Sequence, residues 1–126
     1  MLDAGLPMPS GRIIQRDSKV ENLEYPCVVK PTTTENTIGM TLVRSPHQLK
    51  DALNEAFKYS SDVIIDKFIA GREVRCCAVE EIDSTGKVEV LAFTPQEYEV
   101  RKNDIRTLED KILLDSNGLP LGMRLT

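Results

Sequence analysis

Tyr25-Pro26-Cys27-Val28-Val29-Lys30-Pro31 opens the stretch that decides the fold, and Val63-Ile64-Ile65-Asp66-Lys67-Phe68-Ile69-Ala70-Gly71-Arg72-Glu73 closes it. Each begins as a short apolar run rich in β-branched residues and reaches a lysine, the pattern of a buried strand with a polar end. Pro31 is expected to stop the first strand, because it brings no N–H to a ladder. Between the two lie the threonine-rich loop Thr32 to Gly39 and a second strand candidate, Met40 to Val43, which makes a hairpin with the first. Ser45-Pro46-His47-Gln48 then starts a helix: serine can cap, proline suits the first helical position, and Gln48 completes a capping box. Leu49, Ala52, Leu53, Ala56 and Phe57 follow at helical spacing, which predicts one apolar face running to about Tyr59.

Outward from this centre the signals are shorter. Ala4-Gly5-Leu6-Pro7-Met8-Pro9 reads as a helix end followed by extended chain, since glycine favours the position past a helix and proline cannot continue one. Arg12-Ile13-Ile14 is a strand candidate, and Asp17 to Glu24 is a loop or one helical turn. Val74 to Val79 and Val88 to Phe93 read as two strands of a hairpin turned at Asp83-Ser84-Thr85-Gly86. Thr107-Leu108-Glu109-Asp110 can start a short helix with Thr107 as its cap, and Asn117-Gly118 is a turn signal. Strands joined mainly by hairpins around a helix predict an α+β fold with an antiparallel sheet.

With 126 residues, 40% of them hydrophobic and 29% charged, the composition is that of an ordinary globular domain. The net charge of -4 argues against nucleic acid as a partner, because phosphate backbones select basic surfaces. No apolar run approaches the ~20 residues that span a bilayer, so no membrane partner is expected. Met1 to Gly11 lacks the basic and apolar regions of a signal peptide. Cys27, Cys76 and Cys77 are odd in number and two are adjacent, which fits a reducing cytoplasm better than a disulfide framework. All three are expected as small buried hydrophobes. His47, the only histidine, is expected on the surface of the helix. No Cys/His cluster has zinc spacing.

Two places can carry chemistry. Lys30 is a compact point charge suited to phosphate, and the hydroxyls and N–H groups of the loop behind it can wrap phosphate oxygens. The same loop, read alone, is more simply a polar hairpin connection, and Glu35 would repel an anion. It is not a Walker A loop, which needs Gly-x4-Gly-Lys-Ser/Thr. At Asp66-Lys67-Phe68-Ile69, strand-end N–H and C=O groups can read an adenine edge while apolar side chains sandwich the ring. Glu73 can accept ribose hydroxyls. The alternative for Lys67 and Glu73 is a solvated surface pair of little energetic weight.

The order of these parts resembles the ATP-grasp superfamily, and within it the D-alanine–D-alanine ligase branch. There a Lys-Pro pair opens a loop, often Gly-Ser-Ser-Val-Gly, that covers the ATP phosphates. Glu35-Asn36-Thr37-Ile38-Gly39 is the corresponding segment. The family's Glu-Lys-aromatic-Leu linker, which contacts adenine, matches Asp66-Lys67-Phe68-Ile69, and its ribose-binding glutamate matches Glu73. The resemblance covers Tyr25 to Ala78 and reaches Ala4 to Pro9 and Tyr98-Glu99-Val100-Arg101. Arg101 sits where the family places a phosphate-contacting lysine on a mobile loop.

What the resemblance implies is an ATP-grasp small lobe over 25–93, preceded by a leading segment 1–24 and followed at 94–126 by a loop and part of a second lobe. It implies ATP held by Lys30, Asn36, Thr37, Ile38, Gly39, Asp66, Lys67, Phe68, Ile69, Glu73 and Arg101. The lysines would sit at the phosphates. In the family, ATP activates a carboxylate as an acyl phosphate that an amine then attacks, with Mg²⁺ bridging the phosphates. The sequence departs from the pattern in three ways. Glu35 replaces the first loop glycine, and Lys102 stands where a tyrosine is common. The family's Mg²⁺ ligands, an acidic strand residue and a Glu-x-Asn pair, have no counterpart, since no carboxylate follows Asp115. The expectation is therefore an ATP-binding portion of a carboxylate–amine ligase that is catalytically poor by itself. It should expose apolar sheet surface through which it can self-associate. The alternative is a non-catalytic nucleotide-binding or interaction module.

Overall fold

Side-chain alternation decides how the first strands face. In β2 (Cys27–Pro31), Cys27, Val29 and Pro31 are buried while Val28 and Lys30 are half-buried on the other side. β4 (Asp62–Lys67) repeats this, with Val63 and Ile65 buried and Ile64 and Asp66 turned the other way. β1 (Gly11–Gln15) and β3 (Thr41–Val43) complete an antiparallel sheet of order β1-β4-β2-β3. The computed structural model describes residues 4–116 and 118 and the backbone of 123–124.

One face of this sheet is closed by α1 (Pro46–Ala56). Ala52, Ala56 and Phe57 are buried against Cys27, Val29, Val43, Val63 and Ile65, and Leu49 and Leu53 pack at the edge. The five-residue apolar face expected from the spacing is thus the one that docks. Burying each Val, Ile or Phe contributes about 1.5–3 kcal/mol, so this cluster is the main source of cohesion. The helix ends sooner than its pattern. Phe57 is its C-cap, and the N–H groups of Lys58 and Tyr59 bond three residues back, to Glu55 and Ala56. The last turn tightens in the usual way for a helix end. At the other end, Ser45 makes no side-chain cap, and Gln48 Oε1 instead accepts the N–H of Arg44. Pro31 is the last residue of β2, paired with Val63, rather than lying beyond it.

The chain divides into two compact units, Met1–Ala70 and Gly71–Thr126, the division falling inside the 25–93 span. In the second, β5 (Glu73–Arg75), β8 (Gln96–Tyr98) and β9 (Met123–Arg124) form one antiparallel sheet, in the order β5-β8-β9. The hairpin β6 (Ala78–Ile82) with β7 (Val88–Ala92) forms another. The run Val74 to Val79 is therefore two strands. At Cys76-Cys77 the chain leaves β8 and pairs with β7. Both cysteines are exposed there; only Cys27 is buried. The expectation of three buried thiols fails because this unit has little interior to receive them: every residue of β5, β6 and β7 is exposed. Val79 and Leu91 are exposed on one face of this hairpin, and Ile82, Val88 and Val90 on the other.

α2 (Leu108–Ile112) has the capping box that its sequence promises. Thr107 Oγ1 accepts the Asp110 N–H at 3.2 Å, and Asp110 Oδ2 accepts the Thr107 N–H at 2.7 Å. Gly5 has φ +69 at the turn after Ala4, and His47 is exposed, both as expected. Asn117 of the expected Asn117-Gly118 turn lies outside the described residues; Gly118 itself has φ +76. No helix among the described residues is long and apolar enough to cross a membrane.

Candidate functional site

The sheet face turned away from α1 carries the first candidate residues. Pairing sets Ile13, Ile64 and Lys30 in one cross-strand row, and Gly11, Asp66, Val28 and Leu42 in the next. Lys30 and Asp66 are therefore diagonal neighbours on one face, within reach of each other's side chains. Lys30 Nζ lies 2.5 Å from Asp66 Oδ2, with side-chain exposures of 38% and 16%. A pair this open to solvent adds at most about 1 kcal/mol to stability. Its larger effect is to hold an ammonium group in place above an apolar floor of Val28 and Ile64.

The loop after Lys30 is braced from inside. Thr32 Oγ1 meets Ser60 Oγ at 2.7 Å, Thr33 Oγ1 donates to Tyr59 O at 2.9 Å, and Thr34 Oγ1 donates to Ile38 O at 2.8 Å. Thr37 Oγ1 donates to Asn36 O. The hydroxyls thus shape the loop. Asn36 and Thr37 have φ of 54 and 66, which side-chain-bearing residues rarely adopt and a β-branched one least of all. Gly39 has φ +72, and a Cβ there would stand 2.6 Å from the Tyr59 ring and 2.9 Å from Pro31. Only glycine lets the loop close on the sheet. Ile38 and Met40 donate their N–H groups to Glu35 and Thr37.

At the end of β4 the two lysines part company. Lys67 follows Asp66 and so points to the opposite face; its register partner is the buried Cys27. Its Nζ bonds Glu24 at 2.7 Å beside a groove of about 270 Å³ lined by Arg12, Asn22, Glu24 and Ile65. The Lys67 hydrogen bond and charge hold the Glu24 carboxyl below its ordinary range. Strand alternation thus sets Lys30 and Lys67 on opposite faces of this sheet. The linker backbone is partly spent as well. Lys67 N–H bonds Ser10 O at 2.9 Å and Phe68 N–H bonds Pro26 O at 3.2 Å. Phe68 is half-buried and Ile69 is exposed.

Glu73 and Arg101 belong to the second unit. Glu73 Oε1 lies 3.4 Å from Arg106 Nη1. Arg106 is 8% exposed. Its guanidinium stacks 3.7 Å from the Tyr98 ring centre and donates to Asp110 O at 3.3 Å. Burial pushes the Lys111 ammonium down; Glu73 opposes this, and Arg106 and Arg75 add to it. Arg101 is exposed, 3.9 Å from Asp104. Sequence reasoning missed Arg106, which lies in a polar stretch with no periodic signal. It also missed Gly11, where a glycine inside a strand pattern is a sign of close approach. Among the described residues no three His, Cys, Asp or Glu side chains converge as a metal site.

The antiparallel sheet with α1 on one face and a glycine-closed loop after β2 agrees with the ATP-grasp resemblance, and the comparisons with known proteins bear it out. The family model for the D-ala D-ala ligase C-terminus matches residues 10–111. The chain belongs to that family. It is 33% identical to a D-alanine–D-alanine ligase of Geobacter sulfurreducens over 91 residues, 69% of this chain and 28% of that one. The crystal structure of the VanG D-Ala:D-Ser ligase from Enterococcus faecalis superposes with a TM-score of 0.64 at 29% identity, over 78% of this chain and 29% of the other. A D-alanine–D-alanine ligase from Bacillus anthracis, solved in complex with ATP, has the same fold at a TM-score of 0.58 and 20% identity, over 77% of this chain and 31% of that one. The chain spans under a third of the length of each of these relatives.

Proposed function

We propose that this chain is the ATP-binding portion of an ATP-dependent carboxylate–amine ligase that works through an acyl phosphate. The observation that carries the reading is the Lys30–Asp66 pair at 2.5 Å on the open sheet face, in a chain of the ligase family. Lys30 supplies the positive charge at the phosphates. Asp66 keeps the lysine extended until an anion arrives, which limits the reorganisation that binding requires. The braced loop brings the backbone of Asn36, Thr37, Ile38 and Gly39 to the same phosphates. Lys67 takes part through its main chain, with Asp66, Phe68 and Ile69, as the linker that reads adenine. Glu73 and Arg101 enter the proposal by resemblance alone, Glu73 for the ribose hydroxyls and Arg101 for phosphate.

ATP supplies the phosphoryl group that activates the carboxylate. Turnover then depends on the portion of the relatives that lies outside the match, and this chain by itself binds nucleotide with little catalysis. A reducing cytoplasm suits its three free thiols. Isothermal calorimetry with Mg-ATP tests the reading directly, with phosphate release in the presence of D-alanine measured alongside. Binding without release is the expected result. Release with a carboxylate and an amine would make the chain a ligase in its own right. No heat with ATP would leave a plain α+β domain and overturn the proposal.

A further inference from the structure

Gly11 is the cross-strand partner of Asp66. A Cβ at Gly11 would stand 1.9 Å from Asp66 Oδ1 and 3.1 Å from Asp66 Cγ. Real Cβ atoms do not approach so closely, so the Asp66 carboxyl occupies the space that any larger residue would fill. The other carboxyl oxygen, Oδ2, is the one that holds Lys30. Gly11 lies within β1 and has no left-handed φ. Its lack of a side chain therefore serves packing and not a turn.

We propose that Gly11 is a positioning residue: the bare strand position lets the Asp66 carboxylate lie flat across β1 and reach Lys30, and so sets where the lysine ammonium stands. The proposal rests on Lys30 being the phosphate ligand only for its consequence in ATP binding. The geometry itself is independent of ATP. A methyl group at Gly11 turns the carboxylate away and releases the lysine, with no charge added or removed.

The test is the rate at which Lys30 is acetylated by acetic anhydride, read by mass spectrometry on the intact chain without nucleotide. Acetic anhydride is attacked by the neutral amine, so a lysine nitrogen engaged by a carboxylate reacts more slowly than a free one. Gly11→Ala should raise the Lys30 rate about two- to fivefold, the range expected from losing a partly exposed ion pair. Asp66→Ala should raise it equally, and the double variant no further, because one interaction is lost in all three. Lys58, with its own partner Glu55, serves as the internal standard. A Gly11→Ala rate equal to wild type would overturn the proposal, as would additive effects in the double variant. If Gly11→Ala fails to fold, the same change in the Asp66→Ala background decides. Folding there supports the clash with the carboxylate, and failure there assigns the defect to the Ile65 carbonyl, 3.0 Å from the added Cβ, and overturns it. Mg-ATP affinity measured on the same proteins separates the two claims. Absent binding in wild type defeats the nucleotide reading and leaves the labelling result standing.

Discussion

The two units spend similar kinds of sequence very differently. Met1–Ala70 folds four strands and one helix around a shared apolar face, with Val29, Val43, Ala56 and Val63 fully buried. Gly71–Thr126 has as many strong strand signals, yet its β6–β7 hairpin is exposed throughout. A two-stranded hairpin has no second layer to cover it and is at best marginally stable in isolation. The buried side chains described in the second unit are Tyr98 and Arg106, an aromatic ring and a cation stacked on it. The first unit is held by area and the second by a few polar contacts.

The largest expected effect tests that contrast at its base. Phe57→Ala should cost about 3–5 kcal/mol in the first unit, measured as a shift in denaturant midpoint. Val90→Ala, at a position 67% exposed in the second, should stay within about 0.5 kcal/mol. Comparable losses at both would mean that the hairpin has a hidden cover. Next in size is Arg106→Met. It removes the stack on Tyr98 and the bonds to Glu73 and Asp110, and should open the second unit by about 1–2 kcal/mol. Native-state hydrogen exchange at Val74 and Tyr98 would report this. Exchange in β2 and β4 should not change, and a uniform rise across both units would contradict the division.

Smaller effects sharpen the account. Thr37 has φ +66, and such a residue costs on the order of 1 kcal/mol to hold. Thr37→Gly should therefore raise the melting temperature of the first unit while weakening Mg-ATP binding. A gain in stability with unchanged affinity would make the strain incidental. The smallest effect is at α2. The Asp110 carboxyl is held below its ordinary range, first by the Thr107 backbone N–H and also by the Thr107 hydroxyl, Arg101 and Arg106. The lowered folded value means that the cap contributes fully above the ordinary aspartate range, about pH 4. That contribution is lost as pH falls through the folded value. Asp110→Asn should remove this acid dependence from the protection of the α2 amides, measured relative to their intrinsic exchange rates.

Where the sequence had a period to read, it was legible. The helix face Leu49 to Phe57 and the alternation of β2 and β4 both depend on one large interior, and each apolar position has one place to go. The candidate lysines were found from strand ends, but which face each would occupy depends on register, and Lys67 fell on the other side. The single run Val74 to Val79 hid a change of pairing partner at Cys76-Cys77, which no local propensity encodes. Gly11 and Arg106 matter through one neighbour each, Asp66 and Tyr98, brought from distant parts of the chain.

The two lysines give the most direct test of the central claim. Mg-ATP is titrated calorimetrically into wild type, Lys30→Ala and Lys67→Ala. Lys30 stands on the open face, and its loss should weaken binding about tenfold or more, as for other hydrogen bonds to charged groups. Lys67→Ala keeps the linker backbone and loses only an exposed contact with Glu24, so its affinity should stay within about twofold. Equal losses in both variants, or a loss confined to Lys67→Ala, would contradict an ATP site built on the Lys30 face of the sheet.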